Sequence, residues 1–158
     1  MVCDAASAGG MGMTAMIRRV RGLDWRQRLL FAEATLMLAG TSAAIKLVPF
    51  RGIMRAISGA SKKSGDGGGR DGERVAETRW AIEAVARKVP WRAVCFQKGL
   101  ALQMMLRRRG IASLLHYGVR QTAEGLSAHV WISVEGEVVM GGAEAEGFSC
   151  LVTYPTAA

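Results

Sequence analysis

Two residues in the second half of the chain are of the types used in covalent catalysis, Cys95 and His129. Cys95 follows Pro90-Trp91 at the predicted start of a helix, where unpaired backbone N–H groups and the helix dipole favour negative charge. Both effects, and the nearby Arg92, favour the thiolate, which is the nucleophilic form of cysteine. His129 lies in a predicted strand of the sheet that this helix must cover. A thiol opposite an imidazole predicts a cysteine hydrolase or acyltransferase, with the Cys95 N–H contributing to an oxyanion hole.

The remaining cysteines and histidine do not extend this pair into a metal site. The chain has three cysteines and two histidines, and those besides Cys95 and His129 are Cys3, Cys150 and His116. A structural zinc site needs about four such ligands in local pairs, and an odd number of widely spaced cysteines is not a disulfide framework. We therefore expect no metal, no cofactor, a reduced cytoplasmic location and a structural role for His116.

The composition of the chain bounds its size and its partners. The chain has 158 residues, half of them hydrophobic, which gives room for one domain with a core of its own. Lys plus Arg is 21 and Asp plus Glu is 13, for a net charge of +8, so the surface favours anionic partners. Asp71 is the last aspartate, and only glutamates follow it.

Shifts in composition divide the chain into four parts. We predict a disordered basic tail over 1–21, a helical lead-in over 22–58, a Gly/Ser linker over 59–72, and the core over 73–153. Leu29–Phe50 is the most apolar segment, but it contains Glu33 and Lys46, and its longest uncharged run is shorter than the roughly 20 residues of a membrane span. It is interpreted as a buried or partner-binding helix, with membrane-surface contact as the alternative.

The spacing of apolar residues after the linker predicts two helices followed by an antiparallel sheet, which is an α+β layout. Pro90 ends the first helix and Gly110 follows the second. The predicted elements are helices over 75–89 and 94–109 and strands over 113–119, 127–134 and 137–140. The Arg107–Arg109 run at the end of the second helix either complements the helix dipole in solvent or binds an anionic partner.

Two longer motifs surround the cysteine and the histidine, VPWRAVCFQKGLALQMMLRRRGIASLLHYGV and LSAHVWISVEGEVVMGG. With LVPFRGIMR upstream, they resemble the B-type leader peptidases of lasso-peptide biosynthesis in their standalone form, over roughly residues 22 to 152. The resemblance implies a papain/transglutaminase-like core of the transglutaminase-like superfamily, with Cys95 as nucleophile and His129 as general base. It also implies a cysteine peptidase that removes the leader from a lasso-peptide precursor through an acyl-enzyme.

The resemblance also implies the partners of the protein. These are the precursor peptide, a separate leader-recognition protein, since no fused leader-binding domain is visible, and an ATP-dependent lasso cyclase; nucleic acid is not expected. Two other functions remain open. One is another transglutaminase-like acyl transfer by the same two residues, and the other is a non-catalytic basic binding or scaffold protein with a degenerate site.

The third member of the catalytic group is where this chain departs from the family pattern. The family has an aspartate about a dozen residues after the histidine, and Met140-Gly141-Gly142 fills that place here. If Glu135-Gly136 is a two-residue turn, His129 faces Gly142, and Glu144 lies on the same face one diagonal step away. We therefore predict Glu144 as the orienting acid; the alternatives are an ordinary loop charge and a β-bulge that changes the register.

Overall fold

The computed structural model describes residues 24–49, 51–53 and 68–154 of the chain. The elements in chain order are α1 (Trp25–Leu47), α2 (Gly68–Ala86), α3 (Cys95–Arg108), β1 (Leu114–Thr122), β2 (Gly125–Val134), β3 (Glu137–Met140), α4 (Gly142–Ala145) and β4 (Ser149–Tyr154). The strands form one antiparallel sheet in the order β3-β2-β1-β4, so the predicted α+β fold is confirmed. The predicted tail 1–21, Cys3 and residues 54–67 lie outside the described residues.

α1 begins and ends where local chemistry dictates. The Asp24 carboxylate accepts the Trp25 N–H at 2.7 Å, and the Gln27 side chain accepts the Asp24 N–H at 3.3 Å, which satisfies two donors at the helix start. The helix ends at Leu47 because Val48 precedes Pro49 and is extended, with φ −113° and ψ 131°.

One face of α1 is part of the main core and the opposite face is exposed. Its buried residues are Ala34, Leu38, Thr41 and Ser42. By length and composition alone α1 is able to cross a membrane, and 17% of its most apolar stretch is buried within the protein. Since Ala34 and Leu38 belong to the same apolar cluster as α2, α3 and the sheet, α1 packs on the core directly.

α2 begins at Gly68, inside the segment that the composition predicts as a linker over 59–72. The glycines there are poor helix formers, which is why the sequence favours a linker. Asp71 lies in the first turn, where its charge complements the helix dipole, and it pairs with Arg74 at 3.6 Å between Oδ1 and Nη1. The contacts of Asp71 and the packing of α2 outweigh the low helix propensity of these glycines.

The sheet has one apolar face, and that face receives the helices. Leu115 and Ile132 are directly opposed on β1 and β2, so they share a face, and both are fully buried. The helical residues of the same cluster include Leu38, Ile82, Leu102, Met105 and Leu106. At Glu135 and Gly136 both φ angles are positive, 52° and 89°, which is the two-residue hairpin turn expected from the sequence.

The Arg107–Arg109 run ends α3 against α1. The Arg109 guanidinium binds the Glu33 carboxylate through two hydrogen bonds, one of them 3.2 Å between Nη1 and Oε1. Arg108 adds a longer ion pair of 3.7 Å to the same carboxylate. Glu33 and Arg109 are both half-buried. Arg108 and Arg109 therefore bind a carboxylate of the protein itself, and the run is not reserved for an outside partner.

Candidate active site

Cys95 is the first residue of α3 and is half-buried. The preceding Val94 donates its backbone N–H to the Gln97 side chain at 3.1 Å, so Gln97, in the first turn, caps the start of the helix. Gln97 is buried. The sequence therefore locates this helix start to within one residue, and the remaining N–H groups of the first turn point toward the end that carries the thiol.

The direction of α3 over the sheet is fixed by contacts of Gly99 and Gln103. A Cβ on Gly99 would lie 2.9 Å from Val130 Cγ1, so the helix crosses closely over that part of β2. Four residues further along, Gln103 Nε2 donates to the carbonyls of Ser113 and Tyr154, at the opposite end of the sheet. Cys95 lies one turn before Gly99, on the side away from Gln103.

His129 is half-buried and held on three sides. Its Nε2 is 2.9 Å from the carbonyl oxygen of Gly141. The ring centroid lies 5.4 Å from that of Phe148 and 6.3 Å from that of Trp131, the latter nearly parallel. The plane of the imidazole is therefore fixed and its Nε2 binds the Gly141 carbonyl. Nδ1 is the nitrogen left for proton transfer.

The structure does not join the two residues directly. Within the described part of the chain, no hydrogen bond links Cys95 Sγ to a ring nitrogen of His129. Side chains alternate along a strand, so His129 and Trp131 leave β2 on the opposite face from Val130 and Ile132, which contact α3. The expected thiol–imidazole hydrogen bond is therefore not formed.

Glu144 does not lie where the regular hairpin register predicted it. Ile132 pairs with Met140 but Ser133 pairs with Val138, so Val139 is an extra residue and β3 carries a bulge. The strand then stops at Met140, and Glu144 lies in the short helix α4. Glu144 is exposed, and no described residue forms a hydrogen bond or ion pair with its carboxylate. The backbone of Gly141 contacts the imidazole instead.

We expect Glu144→Gln to leave the rate of the proposed reaction within about twofold of wild type, because no described group depends on this carboxylate. The measurement is kcat/KM on a precursor peptide for Glu144→Gln and Glu144→Ala. A loss of about 10-fold or more in both variants, the size expected for an orienting partner, would restore Glu144 to the site.

His116 is a structural residue on the same face of the sheet as His129. Its Nε2 is 2.7 Å from Ser133 Oγ and its Nδ1 is 3.0 Å from Thr153 Oγ1, so both ring nitrogens are engaged. Trp131 stacks on the His116 ring at 5.5 Å between centroids. Burial lowers the pKa of His116 below its ordinary value near 6.5, because the charged form loses hydration.

This lowered pKa predicts a loss of stability in mild acid. Between pH 6.5 and the lower folded-state pKa, His116 binds a proton in the unfolded chain but not in the folded chain. The free energy of unfolding therefore falls as pH falls. Urea unfolding at pH 7.5 and pH 5.5 should show this slope in wild type and a smaller slope in His116→Gln. Equal slopes would contradict it.

These features define the class of protein. A helix that begins at a cysteine packs on an antiparallel sheet whose second strand carries the histidine. A family model described as the transglutaminase-like superfamily matches residues 37–153, and the chain belongs to that superfamily. Its members are generally cysteine-dependent enzymes of peptide hydrolysis or acyl transfer. No curated protein and no solved structure is a significant match to this chain.

The matched range begins inside α1 and includes both Cys95 and His129. Sequence reasoning missed the Gly141 carbonyl and Phe148, both of which contact His129. The Gly141-Gly142 pair at the position of the family aspartate was the one signal of an unusual backbone there. Within residues 24–49, 51–53 and 68–154, no three metal-binding side chains are grouped.

Proposed function

We propose that this protein is a cytoplasmic cysteine peptidase that removes the leader from a lasso-peptide precursor. The observation that carries the proposal is the position of Cys95 at the start of α3, which packs on the strand that carries His129, within a transglutaminase-like domain. The motifs around both residues support the peptidase over other activities of the superfamily. The reaction needs no metal and no cofactor.

The proposed reaction has two steps that share the same groups. His129 takes the proton of the Cys95 thiol, and Sγ attacks the carbonyl carbon at the leader–core junction. The C–N bond then breaks, the core amine leaves with that proton, and the leader remains as a thioester on Cys95. Water, deprotonated by His129, attacks the thioester, releases the leader with a free carboxylate and returns the proton to sulfur.

The surface around His129 is where we expect the precursor to bind. β3 pairs with β2 only from Val134 to Ile132, and beyond it the backbone of Gly141 lies beside Val130 and His129. Catalytic hydrogen bonds are often long in free enzymes and tighten when substrate binds. Transfer of the thiol proton requires the Cys95 thiol and the free Nδ1, which belong to opposite faces of β2, to come together when the precursor binds.

The released core supplies the next reaction. Its new amine is the group that an ATP-dependent lasso cyclase joins to a side-chain carboxylate. The leader is presented by a separate recognition protein, and the net charge of +8 favours an anionic leader complex. Peripheral membrane contact through α1 is the alternative use of that helix.

The proposal is tested by product analysis. Wild-type protein, precursor and recognition protein are incubated together and the products identified by mass spectrometry. We expect a leader with a free carboxyl terminus and a core with a free amino terminus. A leader joined to an amine acceptor would instead establish acyl transfer, and an unchanged precursor would favour a non-catalytic scaffold.

An exposed apolar stripe on α1 supports the recognition protein as a partner. Trp25, Leu29, Leu36 and Leu47 are 60–82% exposed, and the buried face of the same helix leaves them pointing outward.

We expect Leu36→Asp to weaken association with the recognition protein by about 10-fold or more, since a charge replaces a central apolar contact. Isothermal titration calorimetry measures the Kd. Leu126→Asp is the matched control, because Leu126 is similarly exposed, at 70% against 72%, but lies in the β1–β2 hairpin. Equal losses in the two variants would remove the stripe as the contact surface.

A further inference from the structure

We propose that the main-chain carbonyl of Gly141 is the positioning group for His129, in place of the acidic side chain that the family uses. This inference rests on the proposed function, because it assigns the group that prepares His129 as the base. It is carried by four observations, which are a hydrogen bond, a bulge, a backbone conformation and the space around one α-carbon.

The bulge in β3 brings the carbonyl to the imidazole. Val139 is the extra residue between the pairs Ile132–Met140 and Ser133–Val138, and the strand ends at Met140. Gly141 follows with φ 76°, in the left-handed region, so the chain turns away from the strand direction. Its carbonyl oxygen then lies 2.9 Å from His129 Nε2.

Gly141 has no room for a side chain. A Cβ there would lie 2.8 Å from the Val130 carbonyl oxygen, 3.2 Å from His129 Nε2 and 3.3 Å from Trp131 Cα. Two of these neighbours are backbone atoms of β2, which cannot move without disrupting the sheet. The positive φ also disfavours any residue with a Cβ. The place near the family aspartate is therefore one where the backbone approaches the histidine directly.

The hydrogen bond decides which nitrogen is the base. A carbonyl oxygen only accepts, so Nε2 must carry the proton in this contact. In the neutral imidazole the lone pair is then on Nδ1, and Nδ1 is the atom that takes the thiol proton. The same carbonyl continues to accept the Nε2–H when the ring becomes positively charged, so it favours both the correct tautomer and the charged intermediate.

The neighbouring rings complete the positioning. Phe148 is tilted by 49° against the His129 ring, and Trp131 is nearly parallel to it, at 18°. The Trp131 ring itself lies over Gly118, where a Cβ would be only 2.7 Å from two ring atoms. These contacts restrict rotation of the imidazole, and the Gly141 carbonyl selects one of its two flipped orientations.

The decisive experiment is a measurement of the His129 tautomer in the full chain. The protein is labelled with ¹⁵N, and long-range ¹H–¹⁵N spectra are recorded above the titration of the ring. The chain has two histidines, so His129→Gln assigns both signals. We expect the His129 proton on Nε2. A proton on Nδ1, or an equal mixture of tautomers, would overturn the proposal.

A pair of glycine variants tests the carbonyl itself. Gly141→Ala should lose the Nε2 preference and lower kcat by about 10- to 100-fold with little change in KM, as when the partner of an imidazole is removed. Gly147→Ala is the matched control, since Gly147 also has a positive φ, 80°, but its Cβ would meet only Arg120, at 3.6 Å. Its tautomer and kcat should stay as in wild type. Retention of both in Gly141→Ala would also overturn the proposal.

The failure of this proposal and the failure of the peptidase function give different results. If the wild-type protein leaves the precursor uncleaved while His129 carries its proton on Nε2, the function is wrong and the hydrogen bond stands. If Cys95→Ala is inactive but His129 carries its proton on Nδ1, the function stands and the Gly141 assignment is wrong. Should Gly141→Ala fail to fold, the wild-type tautomer decides alone.

Discussion

Replacing Cys95 by alanine should lower kcat/KM for leader removal by about 10³-fold or more, because the acyl-enzyme cannot form without the nucleophile. His129→Ala should cost about 10²- to 10⁴-fold, the range of a general base. The measurement is the initial rate of precursor cleavage, in the presence of the recognition protein, by chromatography.

Cys150→Ala is the matched control for the nucleophile. Cys150 is an exposed thiol on β4, and its Sγ lies 3.8 Å from Thr153 Oγ1. Its removal should leave the rate within about twofold of wild type. Persistent cleavage by Cys95→Ala would refute the mechanism, and loss of activity in Cys150→Ala alone would move the nucleophile to β4.

Replacing Leu38 by alanine should destabilise the protein by about 2–5 kcal/mol, the range for truncation of a fully buried leucine. Leu38 is 0% exposed and packs in the main cluster with α2, α3 and the sheet. The free energy of unfolding is measured by urea denaturation followed by circular dichroism.

Leu36→Ala provides the control on the same helix, because Leu36 is 72% exposed and should change stability by about 0.5 kcal/mol or less. A single cooperative transition that shifts in Leu38→Ala would show that α1 and the catalytic core unfold together. If Leu38→Ala leaves the transition unchanged, α1 is a separable appendage, as the division at residue 58 in the sequence predicts.

The elements that the sequence located best are those with local signals. The predicted range of α3, 94–109, is within one residue of the observed helix at each end, Gly110 follows that end, and the Glu135-Gly136 pair sets the β2–β3 turn. These signals act within a few residues, through fixed φ angles and lost N–H groups, so they can be read without knowing the tertiary fold.

The features that the sequence did not locate depend on packing between distant segments. β4 has a weak apolar pattern and is fixed by pairing with β1. The first turn of α2 contains glycines that propensity alone excludes from helices.

Glu144 was assigned by extending a regular strand through Gly141-Gly142, and the bulge at Val139 ends that regularity. The alternation of apolar and polar residues along β2 predicted which residues share a face with His129. It did not predict which face α3 covers.

The close approach at Gly141 has a consequence for how such a site can change. An aspartate introduced at this position, to match the family, would meet the Val130 carbonyl oxygen before its carboxylate reached His129, and it would strain a backbone with φ 76°. The substitution that makes the sequence more typical of its relatives would therefore remove the contact that this histidine has. A histidine positioned by an acidic side chain and a histidine positioned by a backbone carbonyl need different backbones at this position. A single substitution therefore does not convert one arrangement into the other.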